Sequence, residues 1–437
     1  MIGFFWYTRL VIGLMDCNNF FVSCERLFRP DLKKRPVAVL SSNDGCIVAR
    51  SQEVKDLGIP MGAPLFQVRK ECEKHGIVLF SSNFQLYRDI SARVMHVLRE
   101  ECGHIDVYSI DEAFFDVGGE LSDEKIIEIR RNIIQKTGIP VSIGIAKTKT
   151  LAKVANSIAK KKNGRLTMST MGVGEGVCRM DEELWGAVVR DMSCGSVWGI
   201  GRQTSAFLTT VGINTVGELL AQDTTFIKNN LGVVGERLVL ELRGIPVSVL
   251  GDHGEGVQES YTSSRSFGKV VNDKLTLMSA LGYHVAHIAE KLRAHDVVAS
   301  TLTIIVRGSR FGAFAHREGV THAVLDTATD DTFILTKEAS RLLDAIYDPE
   351  IPYTKAGVIV GHITPRRFLQ STLFGEEKIH DRTHTLSTLS DSLNKRFGRD
   401  TIHHGVMLGK EKWQARTELQ SPQYTTLWTD VAHVTAK

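Results

Sequence analysis

The sequence predicts an α+β fold built on two split βαβ units. Two observations predict it. The order strand, helix, strand, strand, helix, strand occurs twice, over residues 9–161 and again over 258–363. In each copy the first helix carries apolar residues at helical spacing. These are Leu86, Ile90, Val94 and Val97 in one, and Leu275, Met278, Leu281, Val285, Ile288 and Leu292 in the other.

Taken in order, residues 9–16 read as a buried strand that ends in an acid. Residues 17–83 are an insertion holding the strand PVAVL (36–40) and the stretch GIPMGAP (58–64). Helix 85–100 follows, then the strands HIDVYSI and AFFDV joined around Asp111 and Glu112. Helix 122–136, strand VSIGIA (141–146) and a basic helix from Lys149 to Lys161 complete the first unit. Residues 165–195 read as a connector, with GVGEG (172–176) lacking the GK[ST] ending of a phosphate loop. Residues 196–250 are helical and punctuated by glycine. GDHGEG (251–256) reads as a linker. The second unit runs through strand 258–267, helix 273–295, strands 301–308 and 319–325, helix 331–347 and strand 356–363. Residues 366–437 lack apolar periodicity, so few fixed elements are expected there.

With 43% hydrophobic and 24% charged residues, general disorder is excluded. A net charge of +3 announces no nucleic-acid binder by itself. Residues 146–170 are another matter: Lys147, Lys149, Lys153, Lys160, Lys161, Lys162 and Arg165 occur there without an acid. Such a block fits a phosphate-facing surface, and charge alone does not separate that from a solvated helix face. Seven scattered cysteines without a CxxC pair suit a reducing cytosol and no zinc site. Arg9 interrupts the apolar opening, so no signal peptide is expected. No apolar run reaches the ~18 residues of a membrane span.

MDCNNFF (15–21) and YSIDEAF (108–114) put acids at strand ends. Grouped carboxylates need a compensating cation, and hard divalent ions take oxygen ligands beside substrate phosphates. Three carboxylates and a backbone carbonyl such as that of Cys17 would hold two such ions for phosphoryl transfer. Consecutive strand residues face opposite ways, so Asp111 and Glu112 can share a site only at a turn or a distorted strand end. Spacing alone favours two unrelated acidic turns. Asp116 reads as structural.

The runs DCNNFFVSCE (16–25), SSNDGCIVARSQEVKDLGIPMG (41–62), SSNFQLYRDIS (81–91), YSIDEAF and GIAKTKTLAKVAN (144–156) together resemble the Y-family DNA polymerases. The similarity is strongest to the UmuC-type catalytic subunits of bacterial DNA polymerase V, and it runs in order from about residue 11 to the C-terminus. The resemblance implies a right-handed polymerase. Its palm would be 1–19 with 84–170, its fingers 20–83, and its helix-hairpin-helix thumb 171–250. A little finger would span 257–365, and a tail 366–437. The implied activity is error-prone translesion synthesis in SOS mutagenesis and DNA repair, adding deoxyribonucleotides to a primer 3′-end opposite damaged template. The rival is a non-catalytic, clamp-bound DNA-binding subunit, against which the intact acids argue.

By matching motif, Asp16, Asp111 and Glu112 would be the catalytic ligands of two Mg²⁺ ions. Phe21 falls at the steric gate, where a flat ring would clash with a ribose 2′-hydroxyl. Lys55 and Lys160 match residues that reach the incoming triphosphate, where a cation offsets charge on the leaving pyrophosphate. Ala49 and Gln52 replace the usual Thr and Tyr nearby. WGIGRQTSAFLTTVGINTVGELL (198–220) reads as a helical hairpin whose Gly199 and Gly201 let backbone amides approach a DNA phosphate. LGVVGERL (231–238) would be its second half. SRSFG (264–268) makes Arg265 a DNA contact, with Arg307 and Arg310 as possible additions. QSTLF (370–374) resembles a sliding-clamp peptide, with Gln370 at the rim and Leu373 and Phe374 in the pocket. Ser371 stands at its usual Leu position. The resemblance also implies primer-template DNA, deoxyribonucleoside triphosphates, a processed UmuD-type dimer and RecA as partners, in the cytoplasm.

Overall fold

The computed structural model describes residues 11–118, 121–160, 173–174, 176–248, 250–251, 258–309, 318–369, 377–398, 400–409 and 412–431; for 173–174 and 377–382 it describes the backbone alone. The chain divides into two compact units. The first comprises Met1–Leu40, Cys46–Gly254 and Leu419–Lys437. The second comprises Ser41–Gly45 and Glu255–Glu418.

The first unit opens with β1 (Ile12–Cys17), every residue of it buried, and α1 (Phe20–Phe28). Strands β2 (Val37–Leu40), β3 (Ile47–Arg50) and β4 (Val78–Ser81) form a small sheet of order β3-β2-β4, carrying α2 (Gln52–Asp56) and α3 (Leu65–Lys74). This is the expected insertion, and it has a core of its own around Leu40, Ile47, Val54 and Leu65. Next come α4 (Phe84–Cys102), β5 (Ile105–Val107), β6 (Glu112–Asp116), α5 (Asp123–Thr137), β7 (Val141–Ala146) and α6 (Lys149–Lys160). Then β8 (Val173–Gly174) and β9 (Val177–Arg179) add to the main sheet, whose order is β5-β6-β1-β7-β9-β8. The stretch expected to be a plain connector thus contributes two strands. Its apolar residues are too few for strand periodicity to register.

In this sheet β6 separates β1 from β5, and β1 separates β6 from β7. Both crossovers are therefore split βαβ units. Helix α6 lies tight on β7 because Gly144 has no side chain; a Cβ there would run into the backbone of Ala152 and Asn156. Asn156 fixes the helix further, donating to the carbonyls of Leu14 and Ser142. After α7 (Glu182–Leu184) come α8 (Arg202–Thr210), α9 (Val216–Leu220) and α10 (Thr224–Leu242). The α8–α9 hairpin forms as expected. LGVVGERL straddles a break in α10 at Gly232, whose φ is 65°, where two helical segments meet.

The second unit has β10 (Ser260–Val271), α11 (Lys274–Ala294), β11 (Val297–Gly308), β12 (Glu318–Thr329), α12 (Thr332–Ile346) and β13 (Tyr353–Pro365). Its antiparallel sheet has the order β10-β13-β11-β12. β13 separates β10 from β11, and β11 separates β12 from β13. The two units share an element order and split crossovers but place different strands at the centre.

The region after 365 corrects the sequence reading. α13 (Glu377–Phe397) is a 21-residue helix. Arg293 of α11 forks onto Asp391 of α13 at 2.6 and 2.9 Å. Trp413 is fully buried in the second unit's core. The segment from Leu419 then belongs to the first unit. These contacts are long-range, so local periodicity carries no trace of them.

Candidate active site

The site is built where β1 ends and β6 begins. In the antiparallel register Asp16 stands opposite Glu112. Asp111 precedes β6, in a bend, so it escapes the alternation that would turn it away from Glu112. Its carbonyl accepts from Cys17 N at 2.8 Å, tying the bend to the end of β1. Ser109 shapes the bend: its Oγ accepts from the amides of Asp111 and Glu112 and donates to Asp111 Oδ1 at 2.6 Å.

Electrostatics decide the protonation. Burial pushes the Asp16 carboxyl up to about 7 against the pull of Lys160, and a hydrogen bond to Glu112 adds to the rise. Burial acts on Glu112 too, but hydrogen bonds to Asp16 and Lys153 outweigh it and hold that carboxyl below its usual range. Of the two, Asp16 is the carboxyl that protonates first as pH falls and Glu112 the one that keeps its charge. Lys160 Nζ lies 2.5 Å from Asp16 Oδ2, and Lys153 Nζ lies 2.8 Å from Glu112 Oε2. Among the described residues no three His, Cys, Asp or Glu side chains converge as a metal cage. Asp16 and Glu112 meet, while the Asp111 carboxylate turns to Ser109. Clustered carboxylates repel unless cations separate them, and here the two ammonium groups of Lys153 and Lys160 do so. The oxygen-only donor set fits a hard divalent cation.

Lys153 and Lys160 are seven residues apart, two turns of α6, and so share a face. That spacing is readable in the sequence, yet nothing there separates Lys153 from the rest of its basic block. Its ammonium lies 4.5 Å from the Tyr108 ring centroid and 4.9 Å from that of Trp198. The block is not one phosphate-facing surface. Lys149 is buried in a 2.9 Å ion pair with Asp106, and Lys147 reaches Glu182 at 3.8 Å. Lys161, Lys162 and Arg165 lie outside the described residues. Lys55 Nζ donates to Asn19 Oδ1 at 2.6 Å. Burial pushes its ammonium down, and the charges of Arg50 and Lys160 push the same way. An open cavity of ≈ 790 Å³ is lined by Asp16, Glu112, Lys153, Asn156, Lys160 and Trp198, among others.

Phe21 is half-buried on α1. Its ring stacks on Tyr87 with centroids 4.4 Å apart and planes 13° apart, and meets Phe84 edge-on at 5.8 Å. Gly199 has φ 96°, a left-handed conformation that a side chain would strain, and Gly201 is the N-cap of α8. In the second unit Arg265 sits 6.0 Å from the Tyr283 ring centroid, and Arg307 pairs with Glu318 across β11 and β12. Arg310 and the whole QSTLF peptide, with Gln370, Leu373 and Phe374, lie outside the described residues.

Residues 15–157 match the impB/mucB/samB family, 258–373 match the impB/mucB/samB family C-terminal domain, and 384–434 match a domain of unknown function, DUF4113. Protein UmuC of Salmonella typhimurium is 37% identical over 97% of this chain and 100% of its own length. Protein MucB of Escherichia coli is 34% identical over 98% and 100%. DNA polymerase IV 1 of Bacillus subtilis is 27% identical over 92% and 94%. Among solved structures, a Y-family DNA polymerase chimera matches with TM-score 0.63 and 19% identity, covering 81% of this chain and 99% of that one.

Proposed function

This chain belongs to the impB/mucB/samB family of UmuC-type Y-family polymerases, and from that premise we propose how its own residues carry out the reaction. It is a DNA-directed DNA polymerase of the error-prone, translesion kind that serves SOS mutagenesis and DNA repair. Such enzymes are metal-dependent nucleotidyltransferases. The primer 3′-oxygen bonds to the α-phosphorus of a deoxyribonucleoside triphosphate, and the bond to pyrophosphate breaks.

The observation that carries the site assignment is the meeting of Asp16 and Glu112 across β1 and β6 at the cavity wall, capped by Lys160 and Lys153. Asp16, Asp111 and Glu112, with the Cys17 carbonyl, would hold two Mg²⁺ ions. Bound there, the ions supply Lewis-acid stabilisation of the charge on the triphosphate and help ionise the primer hydroxyl. Lys160 and Lys55 face the same charge and offset what builds on the leaving pyrophosphate. Phe21 lies under the sugar and excludes ribose by contact with its 2′-hydroxyl. In the division of labour, 1–19 with 84–170 serve as palm, 20–83 as fingers, 171–250 as thumb and 257–365 as little finger. Gly199, Gly201 and Arg265 would grip the primer-template backbone, blind to sequence. Gln370, Leu373 and Phe374 would dock on a sliding clamp. A processed UmuD-type dimer and RecA complete the proposed partners. No helix among the described residues is long and apolar enough to cross a membrane, which fits the proposed cytoplasmic setting.

Primer extension on damaged and undamaged templates tests this reading. Wild type extends with Mg²⁺ and not with chelator, while Asp111→Ala loses about a thousandfold or more, several kcal/mol of transition-state stabilisation. Full extension by Asp111→Ala would remove Asp111 from the chemistry, and no extension by the wild type would leave a DNA-binding subunit.

A further inference from the structure

In the last described stretch of the chain, residues 419–424 pack against β4 and against the two helices that carry Phe21 and Tyr87. Leu419 and Gln420 run along the free edge of β4: Ser81 N donates to Leu419 O at 3.1 Å, and Leu419 N donates to Ser81 Oγ at 3.0 Å. Ser421 then sits at a junction between two helices. Its Oγ donates to Glu25 Oε1 on α1 at 3.1 Å. Asn83, the N-cap of α4, donates from Nδ2 to the Ser421 Oγ and carbonyl, both at 3.1 Å, and to the Pro422 carbonyl at 3.2 Å. The other end of that same amide accepts from Leu86 N and caps α4. Three residues on, Tyr424 stacks on Phe28 of α1, centroids 4.5 Å apart and planes 7° apart.

Glu25 has no place in the chemistry, yet it is fully buried. Its Oε1 takes both the Ser421 hydroxyl and the Tyr87 hydroxyl, the latter at 2.6 Å. Oε2 is buried with no hydrogen-bond partner among the described residues. A carboxylate so placed holds its orientation only through those two donors. Tyr87 is the ring on which Phe21 stacks. Phe21 and Glu25 are four residues apart on α1, and Asn83 and Tyr87 four apart at the start of α4, so each pair shares a helix face. The tail closes the square at the corner opposite the Phe21–Tyr87 stack.

We propose that residues 419–424 are a positioning element for sugar selection: by tying Glu25 and Asn83 together through Ser421 they fix Tyr87, and Tyr87 holds the Phe21 ring at the height that admits deoxyribose and rejects ribose. This rests on the reading of Phe21 as the steric gate. It gives the end of the DUF4113 segment a task within the polymerase site of its own chain. Loss of the Ser421 hydroxyl leaves Glu25 with one donor; the carboxylate and Tyr87 gain freedom, and the ring above them can recede.

The test is single-nucleotide insertion by the full-length protein, comparing kcat/KM for dCTP and CTP opposite template guanine. Their ratio is independent of the active fraction, so a partly unfolded preparation does not move it. Phe21→Ala tests the gate itself and should lower the preference for dCTP by the largest factor. Ser421→Ala, and separately Tyr87→Phe, which keeps the stack and cuts the bond to Glu25, should each lower it roughly three- to tenfold, as expected for one lost hydrogen bond. Ser421→Thr, which keeps a hydroxyl, should restore it. If Phe21→Ala leaves the ratio at the wild-type value, the gate reading fails and this inference falls with it. If Phe21→Ala relaxes the ratio while Ser421→Ala and Tyr87→Phe do not, the gate stands and the tail has no hand in it. An equal loss of kcat/KM for both nucleotides would likewise reduce the tail to a scaffold.

Discussion

Lys153 and Lys160 occupy two turns of one helix and hold opposite members of a carboxyl pair. For Lys160 the consequence can be measured. Lys160→Ala should raise KM for the incoming deoxyribonucleotide about tenfold, the loss of one charge-assisted contact. An unchanged KM would exclude Lys160 from the triphosphate site. Lys149 shows how little composition says about a single ammonium group. It sits in the same basic run, but it is 2% exposed and paired with a buried Asp106. Lys149→Met should cost ~3–5 kcal/mol in urea unfolding, because the buried Asp106 carboxylate loses the cation that neutralises it, and adding Asp106→Leu should recover most of the loss. If the double variant is no more stable than the single one, the pair is not the reason. Sequence reading found the acids and the helix but not this division of labour. Which lysine is core and which is site depends on where α6 lands on the sheet.

Elements set those positions through close approach. α6 reaches β7 because position 144 has no Cβ, and Asn156 then bonds two strands at once. Gly144→Ala forces backbone against backbone, with no flexible side chain to yield. It should destabilise the first unit by about 3 kcal/mol and displace Lys153 and Lys160 together. Thermal unfolding checks the first effect and primer extension the second; a stable, fully active variant would show that the contact is not needed. The helices and strands of the two split βαβ units were legible because they are amphipathic or apolar over their length, whereas in 17–83 only the strand at 36–40 was, and α1, α2, α3, β3 and β4 were not. The 21-residue α13 was not foreseen, and neither were β8 and β9, whose five residues are too short for a period to show.

At the scale of the molecule, the second unit carries a titrating core. His284 of α11 is buried, its Nδ1 within 2.8 Å of Ser263 Oγ, and Nε2 has no partner among the described residues. Burial pushes its imidazole down to about 3, helped by the charges of Arg265, His287 and Lys355. The unfolded chain takes up that proton near pH 6.5 and the folded unit does not. The stabilisation from a neutral His284 is therefore complete above pH ~6.5. Below it, stability declines by ~1.4 kcal/mol per pH unit until the folded group itself titrates near pH 3. Thermal melts between pH 7 and 4 should be steeper for wild type than for His284→Gln, and equal slopes would refute the assignment. The sequence by itself determined the two split βαβ units, the acids at strand ends of the first, and the family, because periodicity and motif are local and survive without coordinates. Only the tertiary structure decided that Asp16 meets Glu112, that Lys149 is core, and that residue 421 reaches residues 25 and 83. Those pairings depend on register, helix placement and chain return, and such long-range contacts leave no local pattern along the chain.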